Sequence, residues 1–549
     1  MSKIYTDVLI IGGGSAACRA AIEAADAGAR VLMISKRPPE RAGATSYPVA
    51  EMAGYNAGDP AVCGDVESHY NDIINAGQGM ADPNLAVVLA TGAPQTVKKL
   101  EEWGVTFEQE GNGYYVFKSC FSNTPRTHVI KGHGKPIIQA MMKQISIRPQ
   151  IQIADDITAA GLIMDDGCCC GAWGYTASGE KFLAHAGAVV MATGGAGQVF
   201  QRNLNPTDVT GDGYLMGYEA GAELINMEFM QMGIGFSRPV ISMFNAYLWE
   251  GQPILKNANG KEFLSDYVPD GVTPQMVLHE HRRHFPFSSS DISKYLEVAI
   301  HHEITHGRCT PNGGISVDLR HMTDSYINAL SDDCGIHHMW PIARDYMKKK
   351  GVDLLQNPAE VCCFAHAFNG GLRIDRNAAT TVPGLYAAGE VAGGPHGADR
   401  LGGNMMVTCQ VFGAIAGRNA AQYAMIHRCN DRGTPIFCEE KELLVRKSID
   451  IDKVRKRLNS VAQRYLLVER TAEGLQQVLD VADELEKEIM TEKQDNVIHI
   501  ENLALSNQIH VAKFVATTAL RRTESRGSHY RADYPEKDEK QGIPFIIKQ

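Results

Sequence analysis

The run Tyr5-Thr6-Asp7-Val8-Leu9-Ile10-Ile11, followed by Gly12-Gly13-Gly14-Ser15-Ala16-Ala17, constrains the fold of this chain more than any other stretch. The apolar run predicts a buried strand, and G-x-G-x-x-A then opens an alanine-rich helix reaching about Ala27. Gly12 permits a tight turn, Gly14 lets the backbone approach a pyrophosphate, and Ala17 lets the helix pack close to the strand. The helix N-terminus, with Ser15 in its first turn, adds N–H groups and the positive end of a dipole. Gly28-Ala29-Arg30 ends the helix and Val31-Leu32-Met33-Ile34 is the second strand, so the fingerprint stands in its required context and predicts a dinucleotide site. Its place at the start of a long chain suits a flavin better than a nicotinamide. The second strand runs into Ser35-Lys36-Arg37, where an acidic residue usually holds a ribose 2′-hydroxyl. Ser35 suits a ribose and Lys36-Arg37 suits a 2′-phosphate, and spacing leaves both readings open. The turn from Gly389 to Asn404 is expected to fold back onto this unit.

A length of 549 residues allows two or three domains at about 150 residues each. The formal charge of -10, with no basic run, argues against nucleic acid or an anionic membrane as the main partner. The N-terminus passes straight into a strand without a signal-peptide pattern, and no run of about 18 apolar residues suggests a membrane span. Thirteen cysteines, with Cys168-Cys169-Cys170 and Cys362-Cys363 in succession, fit a reducing cytoplasm better than a disulfide framework. There is no C-x-x-C or iron–sulfur spacing. His302-Glu303-Ile304-Thr305-His306 matches the zinc motif H-E-x-x-H, but spacing suggests no third ligand, and no metal is assigned.

Beyond the first unit, Ala44-Thr45-Ser46 lies in a small-residue loop suited to wrapping a cofactor. Helices are expected near Pro83 to Trp103 and Lys135 to Ile147, and strand alternation from Ile151 to Met164. Phe182 to Ala192 reads as a strand ending at Thr193-Gly194-Gly195, a second glycine turn, and Thr210-Gly211-Asp212-Gly213 precedes a helix to Ala220. From about Glu228 to Val361 the pattern becomes a histidine-rich mixture of short elements. Gly370 to Ile374 and Pro383 to Glu390 resume strand character. Helices are expected at Val454 to Glu469, Thr471 to Met490 and Ile500 to Arg522, forming a small bundle or a partner surface.

These segments resemble the flavoprotein family of fumarate reductase and succinate dehydrogenase, which also includes L-aspartate oxidase and the adenylylsulfate reductase flavin subunit. The resemblance rests on the N-terminal fingerprint, Ala192-Thr193-Gly194-Gly195, Thr210 to Gly213 with Met227 to Gln231, Asn257 to Phe263, and Ala365-His366 to Gly371. Its most specific carriers are Ala388-Gly389-Glu390 with His396 to Asn404, and the tail Glu524 to Tyr530. It implies an α/β fold: a Rossmann-like FAD-binding domain (1–227 and 362–435) interrupted by an α+β capping domain (228–361), then a C-terminal helical domain and tail (436–549). It also implies hydride exchange between flavin and a carbon next to a carboxylate. Matched residue by residue, His366 and Arg400 fall on positions that hold a substrate carboxylate, and Asp212 and Glu390 on flavin-contacting positions.

The chain also departs from the family. Where the family has H-P-T-G, this sequence has Gly233-Ile234-Gly235-Phe236, which removes two ligands of a second carboxylate and is expected to leave extra space. The family's proton-shuttling arginine is absent from Ser293 to Ala299, leaving Lys294 and Tyr295 as candidate proton donors. The loop bearing a covalent-flavin histidine in some members reads Ala44-Thr45-Ser46, so FAD is expected to be non-covalent. Asn404-Met405-Met406 stands where the pattern has Asn-Ser-Leu, altering the flavin's surroundings. The expectation is an FAD-dependent oxidoreductase acting on a C–C bond beside a carboxylate or carbonyl, on a small anionic or carbonyl substrate other than fumarate. Alternatives are an amino-acid oxidase of the L-aspartate oxidase type, or an electron-transfer subunit for an iron–sulfur partner. An oligomer is expected.

Overall fold

The computed structural model describes residues 2–111, 113–331, 334–427, 450–489 and 500–549. The expected boundary at 435/436 and the expected helix end at Met490 lie outside the described residues.

The N-terminal apolar run forms the strand Ser2–Ile11 at the centre of the largest sheet. Its parallel neighbours are Val31–Ile34 on one side, with Val8 opposite Val31, and Lys181–Met191 on the other, with Val8 opposite Ala188. All four residues of Val31–Ile34 are buried, as a strand covered on both faces requires. The connection between the first two strands is the helix Ser15–Asp26. Lys181–Met191 is shared along its length: its first half pairs antiparallel with Cys168–Thr176, its last three residues parallel with Leu385–Ala387. This late strand brings the Gly389 turn onto the first unit, since Ala388 N–H donates to Met191 O at 3.0 Å.

The alternating stretch 151–164 is not one strand. It divides into Ile151–Ala154 and Ile157–Asp165 at Asp156, whose φ of 56° breaks the extended run. A second sheet is built on Met230–Arg238 paired antiparallel with Ala359–Phe368, with Met232 opposite Ala365. His366 therefore sits near the end of a strand of this second sheet.

The helices Ile451–Tyr465, Ala472–Ile489 and Ile500–Arg521 pack on one another, burying Leu475, Val478, Ala482 and Leu485 of the second, a spacing of three or four residues. The C-terminus then returns, pairing Ile546–Ile547 with Leu224–Ile225. None of the described helices is long and apolar enough to cross a membrane.

The H-E-x-x-H letters do not converge on a point. His302 lies 3.1 Å from Glu469, Glu303 accepts from Asn257, Tyr267 and Arg308, and His306 Nδ1 meets the His302 carbonyl. Among the described residues no group of three His, Cys, Asp or Glu side chains is placed to hold a metal.

Candidate active site

A cavity of about 340 Å³ runs from the glycine turn to Arg400 and His366. At its first end, Gly12 has φ 133°, and a Cβ there would lie 2.1 Å from the Ala192 carbonyl oxygen, so only glycine fits. A Cβ on Gly14 would meet nothing within 4 Å, which leaves the helix N-terminus open to a phosphate. The glycine turn, the helix N-terminus and the cavity they line fit a site whose residues would hold FAD.

At the ribose end the basic pair is already engaged. Lys36 Nζ lies 2.5 Å from Asp212 Oδ2 and 2.5 Å from Thr210 Oγ1, and Thr210 in turn donates to Asp212 Oδ1. Arg37 donates to Thr207, while Ser35 donates its hydroxyl proton to the Arg37 carbonyl and keeps its lone pairs for a ribose. With its charge balanced by Asp212, Lys36 gives no support for a 2′-phosphate. Asp212 also accepts from Asn507 at 2.7 Å, so it ties the second strand to the C-terminal helices.

Gly12, Gly14, Ser15, Ser35, Lys36, Ala44, Thr45, Thr193, Gly194, Asp212, Gly389, Glu390, Met405 and Met406 all line this cavity, as do His366 and Arg400. Ala17, Ser46, Gly195 and Asn404 do not. Ala17 is fully buried in helix packing, and Gly195 stands against Glu390, whose Oε1 a Cβ would meet at 2.1 Å. Asn404 accepts from His69 Nε2 at 3.0 Å, behind the wall formed by its neighbours. Burial pushes Glu390 up to about 7 against the opposing Phe368 N–H and Arg400 charge.

At the far end Arg400, 5% exposed, donates through Nε to Gln231 Oε1 at 3.0 Å and through Nη1 to the Leu401 carbonyl at 2.8 Å. Its Nη2 lies 3.4 Å from His366 Nε2. Burial, with the Arg400 charge adding to it, lowers His366 to about 3, so the imidazole is neutral and Arg400 carries the positive charge. His366 Nδ1 is buried without a partner.

Two expectations are corrected here. Gly233 and Gly235 open no space: a Cβ on Gly233 would meet Phe285 Cζ at 2.8 Å, and one on Gly235 would meet Phe364 Cδ2 at 2.8 Å. Those rings fill the volume, and neither glycine lines the cavity. Lys294 and Tyr295 are also away from it. Lys294 Nζ donates to the Ser289 carbonyl and lies over the Tyr295 and Tyr530 rings, and Tyr295 packs against the core.

Two residues that sequence reasoning missed line the same cavity as Arg400. Cys120 Sγ accepts from Phe285 N–H at 3.0 Å, and burial pushes its thiol up. Asn245 donates to Glu51 at 2.6 Å. Neither lies in a periodic or glycine-rich pattern, so no local signal marked them.

Met52, Phe117, Ser119, Cys120, Asn245 and Phe285 also line a second cavity of about 1120 Å³, whose other walls include His284, Asp291, Lys294 and Asp399. His284 Nδ1 donates to the Pro286 carbonyl at 2.7 Å, and Nε2 lies 3.0 Å from Asp291. Burial opposes the imidazolium, but Asp291 overcomes it and holds His284 above its ordinary value. Asp291, despite burial, is held down to about 2 by His284. Stability from Asp291 is therefore present above its unfolded value near 3.8 and lost as pH falls toward 2. Stability from His284 is full below 6.5 and lost as pH rises through its raised folded value. In an NMR titration His284 is expected to titrate above free imidazole, and in Asp291→Asn below it. Equal midpoints in the two proteins would contradict the pairing.

Comparison with known proteins places this geometry. An FAD binding domain family matches residues 7–406, and the fumarate reductase flavoprotein C-terminal family matches residues 455–543. The chain belongs to the fumarate reductase flavoprotein family. An uncharacterised FAD-dependent oxidoreductase of Methanocaldococcus jannaschii is 34% identical, covering 99% of this chain and 96% of that one. A subunit of the CoM/CoB fumarate reductase of Methanothermobacter marburgensis is 33% identical, covering 97% and 96%. Among solved structures, an Escherichia coli quinol fumarate reductase variant is 27% identical with a TM-score of 0.81, covering 100% of this chain and 95% of that one. This chain is thus an FAD-dependent oxidoreductase. Family membership accounts for the pairing of the N-terminal fingerprint with Gly389, Glu390 and Arg400, which line one cavity from distant parts of the sequence.

Proposed function

We propose that this flavoprotein reduces or oxidises a C–C bond next to a carboxylate held by Arg400 and His366, and that fumarate is not its substrate. The observation that carries this reading is Arg400 beside a neutral His366 in the cavity that begins at the glycine turn. FAD, held by Gly12 to Ser15, Ser35, Thr193, Gly194 and Glu390, supplies hydride chemistry when bound.

The guanidinium fork of Arg400 meets both oxygens of one carboxylate and keeps its charge when buried. His366 is neutral and orients the same group by hydrogen bonding. A second carboxylate finds no equivalent on the Gly233–Gly235 side, where Phe285 and Phe364 present apolar rings. Phe285 also packs edge-on against His366, ring centroids 5.6 Å apart. With Lys294 and Tyr295 outside the cavity, the protonated thiol of Cys120 is a proton-holding group near Arg400, its sulfur fixed by the Phe285 N–H. The chain has no second nucleotide fingerprint, so a separate electron donor or acceptor is required, for which an iron–sulfur partner is suited.

The test is anaerobic reoxidation of photoreduced protein. Fumarate is expected to reoxidise the flavin far more slowly than a monocarboxylic enoate such as cinnamate, with dioxygen as the reference oxidant. Cys120→Ala is expected to slow the enoate reaction by about 10²- to 10⁴-fold. Rapid reoxidation by fumarate would refute the substrate assignment, and an undiminished rate in Cys120→Ala would refute the proton role.

A further inference from the structure

Two residues lining the second cavity each hold a buried polar atom without a partner. Asp399, 2% exposed, accepts through Oδ2 from Ser288 Oγ at 2.8 Å and Gln78 Nε2 at 3.1 Å, while its Oδ1 has no hydrogen bond. Ser289, 7% exposed, likewise has an unpartnered Oγ. A buried carboxylate oxygen without a donor bears its desolvation penalty, which a donor from outside the chain would relieve. Burial pushes the Asp399 carboxyl up to about 7; Ser288, His284 and Gln78 oppose that rise and Asp291 adds to it.

The charges around these atoms select what that donor is. An anionic head would face Asp399 and Asp291. A cationic head would face Lys294 and His284, whose positive form Asp291 favours, both lining the same cavity. A neutral hydroxyl meets neither repulsion: it can donate to Asp399 Oδ1, and Ser289 Oγ can donate to or accept from such a head. The place also adjoins the flavin site. Asp399 and Arg400 are consecutive residues lining different cavities, and Cys120 and Phe285 belong to the walls of both.

We propose that the second cavity is a subsite for a neutral, hydroxyl-bearing group of the substrate, with Asp399 and Ser289 as its hydrogen-bond partners. The proposal rests on the reading that Arg400 holds a substrate carboxylate. One ligand then runs from Arg400 past Cys120 and Phe285 to Asp399: a carboxylate or enoate whose far end carries a hydroxyl.

The test titrates the oxidised FAD-loaded protein with cinnamate, 4-hydroxycinnamate and 4-carboxycinnamate, following the perturbation of flavin absorption. The hydroxylated ligand is expected to bind roughly threefold to tenfold more tightly than cinnamate, the size of one added hydrogen bond. The second carboxylate is expected to weaken binding below that of cinnamate. In Asp399→Ala and in Ser289→Ala the hydroxyl preference is expected to fall toward one. Absence of the preference in the wild-type protein, its survival in both variants, or no flavin perturbation by any ligand would each overturn the subsite. The wild-type series decides the matter even where a variant fails to fold. If the ligands bind in the expected order but none reoxidises the reduced flavin, the C–C redox reading fails while the subsite stands.

Discussion

Replacing Arg400 by alanine is expected to lower kcat/KM, for the enoate that best reoxidises the wild-type flavin, by roughly 30-fold to 5,000-fold. This range is the 2–5 kcal/mol typical of truncating one partner of a buried charged pair. The size of the effect follows from isolation. The guanidinium carries the charge beside a neutral His366, and its other bonds, to Gln231 and the Leu401 carbonyl, hold it in place without neutralising it. Arg400→Lys keeps a charge but loses the fork and the bond to Gln231, so it is expected to fall between alanine and wild type. The enoate rate relative to the dioxygen rate, on protein that has retained FAD, separates this effect from cofactor loss. An alanine variant within threefold of wild type would remove Arg400 from the substrate site.

The second large effect is on stability. Glu524 accepts from Arg522 Nη1 at 2.9 Å, from Arg526 Nε and Nη2 at 2.9 and 3.0 Å, and from the Asp538 N–H at 2.7 Å. Glu228 completes the network, 2.8 Å from Arg522, and the side chains of Glu228, Arg522 and Glu524 are fully buried. Glu524→Gln leaves two buried guanidinium groups with one carboxylate between them, at a cost of about 3–5 kcal/mol. The expected readout is a lower denaturant midpoint for the FAD-loaded protein. A change below about 1 kcal/mol would show that the network relaxes around the lost charge. The network also matters to the site: Ser528, four residues on, donates to the Ala398 carbonyl at 2.9 Å, and Asn369 donates to the same oxygen at 3.1 Å. The charged tail thereby braces the loop that carries Asp399 and Arg400.

This bracing shows why some of the site could be read in advance and some could not. The glycine turn was legible because its requirements are local: a positive φ at Gly12 and a backbone close to Ala192 leave room for no side chain. The helices at 83–102 and 135–146 were legible for the same reason, since a spacing of three or four residues between apolar positions reports a buried face. Gly233 and Gly235 misled because a missing side chain reads as space. Space depends on what packs opposite, here Phe285, 52 residues after Gly233. Lys294 and Tyr295 misled because alignment to an absent arginine carries no information about where a helix start points.

The sequence by itself determined the strand–turn–helix that receives a dinucleotide, the family, and the pairing of the N-terminal fingerprint with the Gly389 to Asn404 turn. Each of these depends on short-range backbone geometry or on motifs that keep their order along the chain. Only the tertiary structure decided that the charge of Lys36 is balanced by Asp212, that Cys120 and Asn245 line one cavity with Arg400, and that Asp399 lines a different cavity from its neighbour. These facts join residues far apart in the chain, and no spacing within the chain encodes which side chains meet when sheets pack. Charge pairing and cavity shape arise from that packing.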